Sequence, residues 1–501
     1  MKDIKTLVNL ITRRGEKNIP LLYFNKEVES TGKELDLFLR TRSGEFNNER
    51  DASLGIYGVE VPDHRFKMLK SRVKQKLLNH LFFLNYSDEQ AGNSARYEEE
   101  CLRILHFARL LLNENEIRIA EKLLNKCLNL AQEGEFTDIA LSCLELLKRV
   151  HTIRLKPIHY KNAKEEADHY RKLSNLEQEA RDLYSYYAML LSKSTHSRKK
   201  SIQKAEAAIC KLKDLYEREN SFEIFDKYYK LKLLFLQLTG NYKEMIELTR
   251  GVDADYERSK INARRFDVNY NRLMKLYAHL KGKDYLNGIR YARKTIDYFS
   301  RSSESWFSFM EYYFLIALHT KSYDIAAGVM NKVAINFYFD KIPAIDRIRW
   351  NLYRSYLFFI SGEENFLRNY DHAAYFEEIP EFNKERAGLN AAILILQFLN
   401  CLKQNRTEAA GRPLDEFARY LNQCPDSFSR RTKVLYKLLH CVVKHRFDLR
   451  VVRSKTKYLA GKLKEIAADA GVYDEIEVMP YEQLWDMAIK YLKINQVKAE
   501  M

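Results

Sequence analysis

Glycine and proline are scarce in this chain, at 17 and 8 among 501 residues. A strand-rich fold of that length needs turn residues every few positions, so the shortage excludes most sheet architectures and predicts an all-α protein. Cysteine is sparse and scattered. The seven at positions 101, 127, 143, 210, 401, 424 and 441 include no Cys-x-x-Cys pair, which argues against a thiolate metal site and fits reduced thiols in a cytoplasmic protein. Long apolar runs are missing too. The densest, 391–402, is interrupted by Gln397 and Asn400 and is too short to cross a bilayer, so no membrane insertion is expected. Near the start, Lys2, Asp3 and Lys5 interrupt the apolar residues Ile4, Leu7 and Val8, and no small-residue cleavage site follows, so 3–12 reads as a short amphipathic helix and not as a secretion signal.

Signatures of catalysis are absent as well. There is no glycine-rich phosphate loop, no His-Glu-x-x-His and no Gly-x-Ser-x-Gly elbow, which points to a non-catalytic protein with no cofactor. Three sparse constellations remain. Arg154 and His159 have the spacing of an Arg/His pair found in a family of helical ribonucleases, but Pro157 lies between them and would break the helix they need. Asp253, Asp255 and Glu257 offer oxygen ligands for a divalent cation and read more simply as solvated acids in a loop. His440, Cys441 and His445 are neighbours in sequence, but their spacing does not put them on one helix face.

What the chain has in abundance is aromatic and basic residues. Thirty-three tyrosines and 27 phenylalanines suit the seams between packed helices, and the net charge of +16 favours a nucleic acid, an anionic surface or an acidic protein as partner. Between 221 and 366 one pattern recurs: a helical run, a short break, an aromatic residue, a second helical run. The breaks are Thr239-Gly240-Asn241-Tyr242, Gly282-Lys283-Asp284-Tyr285, Lys321-Ser322-Tyr323 and Ser361-Gly362-Glu363-Glu364-Asn365-Phe366, with the aromatics about 40 residues apart. The glycines are expected in the left-handed conformation that closes a helix, and Asn241, Asp284, Ser322 and Asn365 are expected to cap the next one. Tyr242, Tyr285, Tyr323 and Phe366 are expected to be buried at these turns, with Gly288 and Ala326 giving close helix approach. Gly240-Asn241-Tyr242 and Ser322-Tyr323-x-x-Ala326 resemble the tetratricopeptide repeat family, with a fainter likeness over 115–120. The resemblance implies a superhelix of helical hairpins with a concave ligand-binding face. The period is longer than that family's 34 residues, and its usual proline after the second helix is mostly missing.

The expected organisation is a small N-terminal helical region, 1–90, a polar linker over 85–95, and a helical-hairpin repeat solenoid over 96–495. In the first region helices are expected at 33–42, 47–57 and 64–84. The last carries an apolar stripe of Phe66, Leu69, Val73, Leu77 and Leu81 and a basic face of Lys67, Lys70 and Lys74, a pattern open to a helix-turn-helix DNA reader or to a cap on the solenoid. Two helices are expected at 162–173 and 176–193. Near the C-terminus the charge becomes one-signed. Arg430, Arg431, Lys433, Lys437, Lys444, Arg446, Arg450, Arg453, Lys455, Lys457, Lys462 and Lys464 face a single acid, Asp448, over 430–464. Solvated helix faces usually mix signs, so these twelve are expected to form one positive patch for a polyanion or acidic partner. The leading expectation is a non-catalytic scaffold or adaptor holding a protein or peptide on its concave face. The alternative is a nucleic-acid-binding regulator using the two basic surfaces.

Overall fold

The computed structural model describes residues 8, 32–46, 48–60, 63–80, 93–191, 195–361, 373–466 and 476–500. Among these residues every regular element is a helix and no strand occurs. Two compact units are present, Met1–Glu100 and Cys101–Met501, and the border falls inside the helix Asn93–Asn113.

The first unit contains helices Lys33–Arg42, Glu49–Tyr57 and His64–His80. Residues three and four apart share a helix face, and Phe66, Leu69, Val73 and Leu77 are accordingly all buried, against Leu37 and Phe38 of the first helix. Local sequence sets the ends. Gly58, at φ 71°, closes Glu49–Tyr57, and Asp63 Oδ1 accepts the Phe66 N–H at 2.9 Å to open the next helix. Apart from Val8, the expected helix at 3–12 lies outside the described residues, as do 81–84 and the linker residues 85–92.

In the second unit most helices pack on the one before them. Several of their connections share one closure. Asn115, Glu135, Leu155, Lys283 and Lys321 all have φ between 52° and 61° although none is glycine. Around each, two backbone bonds finish the preceding helix: the Lys283 N–H reaches Leu280 O at 3.3 Å and the Asp284 N–H reaches His279 O at 3.0 Å, and the same pair recurs at the other four. One further residue then leads into the next helix, whose first residues are Ile117, Thr137, Pro157, Tyr285 and Tyr323. Gly240 (φ 74°) does the same before Tyr242, but Gly282 has φ −76°, so the left-handed turn expected there passes to Lys283. Gly362, Asn365 and Phe366 lie outside the described residues.

This tight link also explains why Asn241, Asp284 and Ser322 make no capping bond. Their ψ of 56–66° is not the extended conformation that aims a side chain at the helix start, whereas Ser221 and Ser303, with ψ of 136° and 146°, do cap. Residues 162–193, expected to hold two helices, lie mainly in one of 35 residues, Pro157–Leu191. Ser174 and Asn175 neither lock φ nor remove a donor, so nothing there stops the helix.

The aromatics divide between core and seam. Tyr242 is buried, as are Tyr229, Phe314, Trp350 and Tyr353, but Tyr285 and Tyr323 are only half-buried, contrary to the expectation. The Tyr285 ring stands edge-on to His319, and its hydroxyl lies 3.2 Å from Nδ1. The imidazole Nε2 lies 3.3 Å from the Glu477 carbonyl, which can only accept, so Nε2 carries the proton and Nδ1 accepts from Tyr285. Other bonds reach past adjoining helices. Asn262 Nδ2 donates to Glu133 O at 2.9 Å, Arg265 Nη1 donates to Glu135 O at 2.8 Å, and Gln483 Nε2 donates to His319 O at 3.1 Å. Glu177, nine-tenths or more buried, accepts from Thr137 Oγ1 at 2.8 Å and Ser221 Oγ at 2.6 Å, so it joins the starts of two helices; burial pushes its carboxyl pKa up.

Two helical glycines give opposite predictions. A side chain at Gly288 would meet Ile316 Cδ1 at 2.9 Å and His279 Cβ at 3.1 Å, while Gly328 faces open space. Gly288→Leu should destabilise by about 1–3 kcal/mol through overpacking. Gly328→Ala should stabilise by about 0.5–1 kcal/mol by removing backbone freedom from the unfolded chain. Urea unfolding midpoints check both.

Candidate polyanion interface

Residues 430–464 fold into two helices, Arg430–Lys444 and Leu449–Glu465. The first starts where Ser429 accepts the Thr432 N–H, and the second where Asp448 accepts the N–H groups of Arg450 and Val451 at 2.8 and 3.1 Å. The lone acid of the stretch is thus a helix cap, spent on backbone. Between them Arg446 and Phe447 take consecutive left-handed conformations, at φ 51° and 62°. Such residues cost about 1–2 kcal/mol each when not glycine. The Arg431 Nη1 donates to Leu463 O at 3.0 Å and Ile466 O at 2.8 Å, so the start of the first helix meets the end of the second and the pair is antiparallel.

Each helix buries one face and turns its cations outward. Val434, Leu435, Leu438, Leu439 and Val442 are buried on the first; Arg430, Lys437 and Lys444 are exposed and Lys433 is half-exposed. Their spacing of three, four and seven residues is one helical stripe. On the second helix Arg450, Arg453, Lys457 and Lys464 form a similar exposed stripe, and Lys455 and Lys462 form another with the ring of Tyr458, 75% exposed, between them. Arg446 is exposed at the turn. Lys444 and Lys455 both act electrostatically on the Cys441 thiol, whose pKa burial raises and these two cations pull back, so the positive field is shared across the two helices. Among the described residues, Lys437, Lys444, Arg446, Arg450, Arg453, Lys455, Lys457, Lys462 and Lys464 have no carboxylate within ion-pair distance, and Lys433 is bound only to the Pro425 carbonyl, at 2.9 Å.

Arg431 corrects the expectation of twelve outward cations. It is 2% exposed and held by Glu477 at 2.9 Å and Glu482 at 2.8 Å. Burial opposes its charge, but the two carboxylates outweigh it and raise the guanidinium pKa. Burial likewise pushes the Glu482 carboxyl up, and the bonds from Arg431 override it to leave the pKa lowered. The two acids lie 46 and 51 residues downstream, beyond the range of a charge run, and this is why the sequence pattern missed them.

The N-terminal basic face contrasts with this surface. Lys70 is bound to Glu49 at 2.7 Å, Arg72 and Lys76 share Glu34, and Lys74 also has a partner, which leaves Lys67 as the exposed member of the expected trio. The sparse constellations are likewise accounted for. Arg154 ends one helix in an ion pair with Glu121, and His159 lies in the first turn of the next, after Pro157. Asp253 binds Asn271 and Lys275, and Asp255 pairs with Lys260 at 3.4 Å. His440 packs on Tyr436. Among the described residues no three metal-capable side chains cluster, and no helix is long and apolar enough to cross a membrane.

Compared with known proteins, the chain matches no family model, no curated protein and no solved structure.

Replacing Arg431 by Ala strands two partly buried carboxylates and should cost about 3–5 kcal/mol, whereas Lys457→Ala should change stability by less than about 0.5 kcal/mol; denaturant titration separates them. Protons make a second test. Burial pushes the His319 pKa down to about 4. The unfolded imidazole titrates near 6.5, so stability is full above that value and is lost as pH falls toward 4. Unfolding midpoints should therefore drop between pH 7 and 5, less steeply in His319→Gln.

Proposed function

We propose that this chain is a non-catalytic helical binding protein, an adaptor whose partner is a polyanion held on the hairpin of Arg430–Lys444 and Leu449–Glu465. We also read the second unit as an array of helical hairpins similar to tetratricopeptide repeats, on the strength of the recurring left-handed closure. One observation carries the binding reading: two antiparallel helices turn a row of cations to solvent with no described carboxylate in ion-pair contact. Solubility needs net charge but not a one-signed field, and cations this close repel one another until an anion covers them.

Binding that rests on displaced counterions falls steeply with salt. A partner meeting six or more of these cations through phosphates should lose about a thousandfold in affinity between 50 and 200 mM salt. Immobilised heparin is a direct probe. The protein should be retained at low salt and released by a gradient, and the combined Arg446→Glu, Arg450→Glu, Arg453→Glu, Lys457→Glu variant should flow through with an unchanged unfolding midpoint. Equal retention of the folded variant would overturn the proposal.

A further inference from the structure

We infer that the polyanion is a single-stranded nucleic acid, with Tyr458 as the platform on which a base stacks; this rests on the polyanion reading above. Tyr458 is 75% exposed on a helix whose aliphatic residues Leu449, Val452 and Leu463 are buried. It is flanked along its own stripe by Lys455 and Lys462, one turn to either side, and Lys462 Nζ lies 5.9 Å from the ring centroid. The antiparallel register, with Arg431 against Leu463 and Cys441 near Lys455, sets Lys437 of the neighbouring helix level with Tyr458. A flat ring is therefore presented to solvent between two lysines of its own helix, beside a neighbouring helix that carries its own exposed stripe of cations.

The chemistry that uses all of these groups is a flexible strand with one phosphate per residue and a base beside it. Ammonium groups follow the backbone as point charges, and an exposed ring stacks on any base because every base has a π-face. A duplex keeps its bases stacked inside and offers the ring nothing. An acidic protein would use the cations and leave the ring without a specific role. With a single ring available, preference among base sequences should be weak.

The test is fluorescence anisotropy on the full chain with three probes: a labelled oligothymidine of about twenty nucleotides, a duplex of matched charge, and polyglutamate, each at about 50 mM salt. The single strand should bind more tightly than the duplex or polyglutamate. Tyr458→Ala should weaken single-strand binding about tenfold with the salt dependence and duplex affinity unchanged, and Tyr458→Phe should restore it. Comparable binding of all three probes, preferential binding of polyglutamate or duplex, or an indifferent Tyr458→Ala would overturn the single-strand assignment and leave the polyanion surface standing. Failure of all three probes to bind would remove both.

Discussion

The second unit depends on a backbone constraint more than on any side-chain contact. At connection after connection one residue must enter the left-handed region, so that its own N–H and the next can reach back to the carbonyls of the helix just ended. Only one residue then separates that position from the next helix. The closure fixes the direction in which each helix leaves its predecessor, and the side chains pack within that limit. That Asn, Glu, Leu and Lys tolerate it means the strain is distributed over many turns, each offset by the packing of the helices it joins.

Where that packing turns polar, buried groups act as struts. Glu177 gathers the starts of two helices, Asn262 and Arg265 bind the turn at 133–136 to a loop more than a hundred residues on, and Arg431 draws two distant acids onto the basic hairpin. A buried ionic cluster of this kind specifies position more than it adds net stability. In the basic hairpin it serves a further end. Burial there sets the compensated Arg431 apart from exposed cations such as Lys437, Arg450 and Lys457, which have no described carboxylate in ion-pair contact.

Helical content was legible from the scarcity of glycine and proline, and the first unit's core from the three- and four-residue spacing of Phe66, Leu69, Val73 and Leu77. The turns were only half legible. Glycine was the visible marker of left-handed backbone, and it marked Gly240 correctly, but at the next break the work falls to Lys283, whose side chain says nothing of its φ. The helix-capping residues were misread for a related reason: a capping side chain needs extended backbone, which the link denies to Asn241, Asp284 and Ser322. Arg431 shows the limit of counting charges, since a local window holds eleven similar cations but not Glu477 and Glu482. The exposure of the Tyr458 ring between two lysines came from the fold.

The separation of Arg431 from its acids has a temporal side. During synthesis the arginine leaves the ribosome 46 residues before Glu477 and 51 before Glu482. The second helix ends at Glu465, and chains emerge at about 5–20 residues per second, so for about one to three seconds both helices are made without the struts that bury their one inward cation. In that interval Arg431 is one more solvated charge at the open end of the hairpin, a helix length from the left-handed turn at Arg446 and Phe447. The hairpin reaches its final form only as Glu477 and Glu482 arrive, so its completion waits on residues made after both of its helices.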